Sequence, residues 1–280
     1  MTNTAFFDSH AHLNLIVKKD FDRLLNIDEL NQALVLLDEM ELQNLKVVNI
    51  GTSLTESINC LEIAKLKPKI AKAALGIHPN DITENWQDDL AKIEAIIIEN
   101  INNNLLDNNL IVAIGECGYD KHYPNYDLKK QEACFKAQIE LALKYNKALI
   151  VHTRDAKTET LNTLSEYKDK LKKVVIHCFS EDEDFAKLIV SWGFMMGIGG
   201  TITYPKNNYL RDIVKKFGLK NIILETDAPY LAPQEQRGKI NSSLNIPIIA
   251  KFIADLLNLS LEEVAKVTTE NCQKIFDLKN

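Results

Sequence analysis

Leu110-Ile111-Val112-Ala113-Ile114 is an unbroken apolar run, and Gly115-Glu116-Cys117-Gly118 follows it directly with a glycine and a carboxylate. A strand apolar at every position, rather than at alternate ones, suits a parallel sheet covered on both faces. Similar short runs recur along the chain, so strands are expected over 5–8, 46–50, 70–76, 110–115, 148–151, 173–176, 193–197 and 221–225. Amphipathic helical stretches separate them. Leu30, Ala33, Leu34, Leu37 and Met40 share one face, as do Leu128, Phe135, Ile139 and Ala142. Ser53 with Glu56, and Ser260 with Glu263, have capping-box spacing. Eight strands each followed by a helix predict an α/β chain folded as a (β/α)8 TIM barrel, one domain over 1–280. Helical segments at 244–257 and 261–276 are expected to cap it at the C-terminal end of the chain. A doubly wound open sheet would carry a Gly-rich phosphate turn after its first strand, where this chain reads Asp8-Ser9-His10-Ala11-His12. The Asn-rich stretch 99–109 reads as a solvated loop.

Composition narrows the function. The 280 residues are 46% hydrophobic, enough for a large core, and carry a formal net charge of −6. Proteins that grip nucleic acid along a broad electrostatic footprint are usually basic. If this chain acts on nucleic acid, it needs a small local positive site, which bound metal ions would supply. With no apolar run of membrane-spanning length and no export signal at the start, a cytoplasmic protein without membrane association is expected. The five cysteines, at 60, 117, 134, 178 and 272, form no Cys-x-x-Cys pair, which argues against a disulfide framework or a thiolate zinc site. Cys117 and Cys178 read as small core residues.

The polar residues at the strand ends carry the chemistry. His10 and His12 follow strand one, His78 follows strand three in Gly76-Ile77-His78-Pro79, and Glu116 follows strand four. His152 ends strand five, His177 ends strand six and Asp227 ends strand eight. Five of the six histidines thus fall on the rim where barrel active sites are built; the sixth, His122, lies just after Glu116. So many imidazoles and carboxylates together are costly to bury without a metal. His10 and His12, two apart on a strand, are expected to face one ion. Mixed nitrogen and oxygen donors suit Zn, Mn, Co or Fe, whereas a mostly oxygen set would favour Mg. Six donors exceed the needs of one catalytic zinc. The division expected is His10, His12 and Asp227 on one ion, His152 and His177 on the other, and Glu116 bridging. Two ions ~3.5–4 Å apart would acidify a shared water, and Asp227 would accept its proton. The chain has neither a Gly-x-Ser-x-Gly elbow nor a phosphate-binding P-loop, so water is the expected nucleophile.

The motifs resemble those of the TatD family of metal-dependent deoxyribonucleases, within the amidohydrolase superfamily. The matching stretches are Phe7-Asp8-Ser9-His10-Ala11-His12-Leu13, Gly76-Ile77-His78-Pro79 and Gly115-Glu116-Cys117-Gly118-Tyr119-Asp120. Val151-His152-Thr153-Arg154-Asp155-Ala156, His177-Cys178-Phe179-Ser180, Glu225-Thr226-Asp227-Ala228-Pro229-Tyr230-Leu231 and Arg237-Gly238-Lys239 follow in the family's order. The resemblance implies two divalent ions (Mg2+, Mn2+ or Zn2+), with Glu116 where other branches use a carboxylated lysine. It also implies phosphodiester hydrolysis, typically 3′→5′ exonuclease action on ends of single-stranded DNA and sometimes RNA, with no obligate protein partner. Tyr119, Glu181 and Asn241-Ser242-Ser243 depart from the family pattern and bear on how substrate is held. Around the metals, Arg154 is placed to bind a phosphate oxygen, and His78 to do the same or to protonate the leaving oxygen. Asp8 and Asp120 are expected to orient ligands. Arg237, Lys239, Tyr204 and Lys206 are further candidates for substrate contact. Two other readings keep the same residues: hydrolysis of esters or amides, such as aminoacyl-tRNA deacylation, and a non-catalytic metal-binding barrel.

Overall fold

The structure, a computed structural model, describes residues 4–18, 20–102 and 109–278. Eight parallel strands form one sheet in chain order: β1 (Phe6–Ala11), β2 (Leu45–Ile50), β3 (Ala71–Leu75), β4 (Ile111–Asp120), β5 (Ala148–Arg154), β6 (Val174–Ile176), β7 (Met195–Ile198) and β8 (Ile222–Leu224). The helices are α1 (Leu13–Val17), α2 (Ile27–Leu42), α3 (Leu54–Leu66), α4 (Trp86–Asn102), α5 (Leu128–Lys144), α6 (Lys157–Tyr167), α7 (Glu183–Ser191), α8 (Asn208–Phe217), α9 (Ile246–Leu257) and α10 (Leu261–Ile275). This is the expected (β/α)8 barrel with two added C-terminal helices. Short α1 was not foreseen, and 99–102 belong to the last turn of α4 rather than to a loop. Of the Asn-rich stretch, 103–108 lie outside the described residues.

The barrel has two apolar layers. Leu37, Ile63, Ile97, Phe135, Ile139 and Phe185 fill the space between sheet and helices. Phe7, Val48, Ile50, Ala113, Ile150, Val175 and Ile223 point inward. That inner cluster also takes in Cys272, Ile275 and Phe276, so the end of α10 plugs the floor of the barrel, with Phe276 stacked on Phe7 at 6.3 Å. Burial of each such side chain contributes about 1.5–3 kcal/mol. Among the described residues no single helix is long and apolar enough to cross a membrane.

β8 is too short to pair with β1 along its own length. The seam is stitched just beyond it, where Ala11 bridges Ala228. Asp227 N donates to His10 O at 2.8 Å, and His12 N to Ala228 O at 2.7 Å. Asp8, fully buried, accepts from Thr226 N at 3.0 Å and Thr226 Oγ1 at 2.6 Å. Burial pushes the Asp8 carboxyl up to about 7.

Two capping expectations are half met. Ser53 and Ser260 accept from the backbone N–H of Glu56 and Glu263. Glu56, however, turns inward and receives the Lys18 ammonium at 2.6 Å and the Asn14 amide at 2.7 Å. The complete capping box is at Asn26 and Glu29, at the start of α2.

Candidate metal centre

Where a strand must aim a side chain into the barrel mouth, the ladder carries an extra residue. On β4, Ile114 pairs with Leu149 and Cys117 with Val151, so Gly115 and Glu116 stand opposite Ile150 alone. Such a bulge bends the strand and redirects its side chains. β1 has another between Asp8 and Ala11, around His10. Two expectations change accordingly. Glu116 and His152 lie within longer strands, β4 and β5, whose pairing continues to Asp120 and Arg154. His10 and His12 do not share a face by regular alternation, because β1 is bulged and ends at Ala11. Asp227 lies past β8, in a left-handed conformation with φ 55°.

The donor atoms converge nonetheless. His10 Nε2 and His12 Nε2 are 3.3 Å apart, and Asp227 Oδ1 lies 3.7 and 3.4 Å from them. Glu116 stands in the middle with its two oxygens divided. Oε2 is 3.3 Å from His10 Nε2 and 3.8 Å from His12 Nε2. Oε1 is 2.8 Å from His152 Nδ1 and 2.9 Å from His177 Nε2. His78 Nε2 approaches the same Oε1 at 3.6 Å. Three donor triplets result: His10, His12 and Asp227; His10, Glu116 and His177; and His78, Asp120 and His152.

Neighbours set the tautomers. His12 Nδ1 is 3.0 Å from the Ile50 carbonyl, which can only accept, so Nδ1 carries the proton and Nε2 points its lone pair at the donor cluster. His152 Nε2 meets the Asp120 carboxylate at 3.1 Å, which turns Nδ1 toward Glu116 in the same way. Imidazole lone pairs aimed at carboxylate oxygens fit a cation at the shared point. Electrostatics agree. Burial opposes charge on His177, yet Glu116 beside it holds that imidazole well above its ordinary range. Burial would raise Glu116, but His177, His78 and His10 hold it well below the usual carboxylate range. For His12 and His152 burial again opposes charge, while Asp227 on the one and Asp120 with Glu116 on the other raise them. Protons here take places that a divalent ion would take, so metal binding must release them and weaken toward acid.

All seven rim residues expected at the centre are therefore brought together. Asp120 does orient His152. Asp8 instead steadies backbone, accepting from His10 N at 3.2 Å and from Thr226. His122 stays outside, exposed and 3.1 Å from Asp155. Arg154 is exposed two residues past His152, and Arg237 lies over Tyr204. Lys206 and Lys239 are exposed, the latter bonded to Gln236.

Sequence reading gave no role to three residues. Buried Glu225 accepts from Cys178 N at 2.6 Å and lies 3.6 Å from His177 Nδ1. On α5, two buried glutamines two turns apart each clasp one backbone unit at the rim. Gln131 Oε1 accepts from Asp120 N at 3.1 Å while its Nε2 donates to Asp120 O at 2.8 Å. Gln138 does the same to Ile77, at 2.8 and 2.9 Å, and so fixes the segment that carries His78. The seven-residue spacing on an otherwise apolar face was the available signal. Gln138→Leu would leave the buried amide and carbonyl of Ile77 without these partners. An expected loss of about 2–4 kcal/mol in urea unfolding follows, and an unchanged midpoint would refute the clasp.

Comparison with known proteins gives the family and the fold. The model of the TatD-related DNase family matches residues 7–277. An uncharacterized metal-dependent hydrolase of Mycoplasma pneumoniae is 32% identical, the match covering 97% of this chain and 99% of that one. The Bacillus subtilis metal-dependent hydrolase YabD is 29% identical, over 96% of this chain and 98% of its own. Among solved structures, YJJV, a TatD homolog from Escherichia coli K12, superposes with a TM-score of 0.84 at 23% identity, covering 99% of this chain and 100% of that one.

Proposed function

The chain belongs to the TatD-related DNase family of metal-dependent hydrolases, and on that premise we propose that it cleaves phosphodiester bonds at the ends of single strands. The reading is a 3′→5′ exonuclease of DNA, with RNA as a second substrate, working in the cytoplasm without an obligate protein partner. The observation that supports its hydrolytic chemistry is the divided Glu116 carboxylate, with one oxygen toward His10 and His12 and the other toward His152 and His177, while the phosphodiester target rests on the family.

His10, His12 and Asp227 would hold one divalent ion (Mg2+, Mn2+ or Zn2+), His152 and His177 a second, and Glu116 would join them. When bound, two such ions acidify a water and neutralise charge building on the phosphate. The protein supplies the rest. The Asp227 side chain is 14% exposed against 4% for Glu116, so it is the donor carboxylate that an incoming water reaches, and it accepts that water's proton. Burial and then the neighbouring His152 charge push His78 down to about 3, so it is neutral at working pH. Its Nδ1 accepts from Asn80 N at 3.1 Å, which leaves the proton on Nε2. His78 therefore donates a hydrogen bond to a phosphate oxygen rather than serving as a strong acid.

Purified protein with Mn2+ should shorten a 5′-labelled single-stranded oligonucleotide one nucleotide at a time from its 3′ end. Asp227→Ala should slow this by about 10²–10⁴-fold, and a chelator should stop it. Undiminished release by Asp227→Ala would reject the assignment, and activity only on aminoacyl-tRNA or small esters would move it to another bond.

A further inference from the structure

The proposed reaction leaves open how a chain of net charge −6 holds a polyanion. Metal ions alone do not answer it, because Glu116, Asp120 and Asp227 cancel most of the charge that two divalent ions bring. The arginines give the answer. The chain has four. Arg23 is spent on Glu29 and Asp20. Arg211 is spent on the carbonyls of Ile202, Tyr204 and Pro205 and on Asn208. The other two, Arg154 and Arg237, make no side-chain hydrogen bond or ion pair among the described residues, and each lies instead on a tyrosine. Arg154 Cζ is 5.6 Å from the Tyr123 ring centroid, and Arg237 Cζ is 4.8 Å from that of Tyr204.

Both pairs stand on the rim, one at the ends of β4 and β5 and the other on the loops after β7 and β8. Both are built. Tyr123 is 54% exposed in the connection after β4, held by Arg154 and by the edge of His122 at 5.3 Å. Tyr204 is fixed at its hydroxyl, which donates to Ala232 O at 2.9 Å, and at its carbonyl, which accepts from Arg211. A guanidinium lying on a ring keeps its N–H donors free at the edge while presenting a flat surface. Flat aromatic surfaces beside cations are what single strands bind through, by base stacking with phosphate contact.

We infer that Arg154–Tyr123 and Arg237–Tyr204 are two nucleotide clamps, which seat the nucleotides flanking the cleaved bond by stacking their bases and binding their phosphates. The inference rests on the phosphodiester reading and deepens it. The clamps are indifferent to base identity, because every base has a flat face, and they reject duplex, whose bases are already stacked and paired.

The test measures fluorescence anisotropy of a labelled oligodeoxythymidylate with Mn2+ present, in the Asp227→Ala background, whose slowed cleavage leaves the strand intact during the reading. Tyr123→Leu and Tyr204→Leu should each raise Kd roughly tenfold, while Tyr123→Phe stays near the parent. Arg154→Gln and Arg237→Gln should raise Kd and also lower the salt slope by about 0.7 each, which the Leu variants leave unchanged. Wild-type kinetics should show the Tyr123→Leu effect in KM rather than kcat. Loss of binding in Tyr123→Phe equal to that in Tyr123→Leu would overturn stacking, as would parental Kd in both Leu variants. If wild-type protein cuts strands while the Leu variants bind as before, the clamps alone fall. If it cuts no strand at all, the phosphodiester reading falls with them.

Discussion

Glu116→Gln should lower kcat/KM on a single-stranded oligonucleotide by a factor on the order of 10³, at several kcal/mol of lost charge stabilisation and about 1.36 kcal/mol per tenfold. The substitution keeps the shape of the side chain and removes the one group shared by both imidazole sets. If two ions bind as proposed, metal titration by calorimetry should show both weakened. Asp227→Ala should weaken only the ion proposed to sit with His10 and His12. That contrast separates a bridging carboxylate from an ordinary ligand. If Glu116→Gln binds one ion at parental affinity, the bridge is wrong even where activity is lost.

Gly118→Ala should cost about 3–5 kcal/mol of stability, in the range of severe backbone clashes. Gly118 has φ +142°, and a Cβ built there meets the carbonyl oxygen of His152 at 2.0 Å. The two residues are partners across β4 and β5, so the clash drives apart the strands that carry Glu116 and His152. At roughly 2–4 °C per kcal/mol, the melting temperature should fall by roughly 10 °C. A fall of under ~2 °C would mean that the strand pair yields easily at the rim, against the packing described.

The architecture was legible because most of the strands are buried on both faces and are therefore written largely as apolar runs. The donor residues were legible because histidines are few here and nearly all fall at strand ends. The local geometry was not. Whether Ile114 to Cys117 spans a regular ladder or a bulge depends on pairing with Leu149 and Val151, and no residue type reports that pairing; Gly115 was the one hint. Strand ends shifted for a related reason. The pairing of β4 with β5 outlasts the apolar run because Gly118 allows a close approach and Gln131 holds Asp120 from outside. Glu225 and Gln138 were invisible as functional residues since their partners, Cys178 N and the Ile77 peptide, are backbone groups supplied by the fold. Arg237 and Tyr204 were named separately as candidates, but only three dimensions could make them a pair.

The stitched seam between the first and last strands has a consequence for biosynthesis. His10 and His12 are made long before Asp227 and before the Thr226 that grips Asp8. Until that segment docks, the donors near the N-terminus have neither their third partner nor the edge that fixes their strand. The complete donor set therefore forms only once the last strand has docked against the first, so closure of the barrel and assembly of the site are one event.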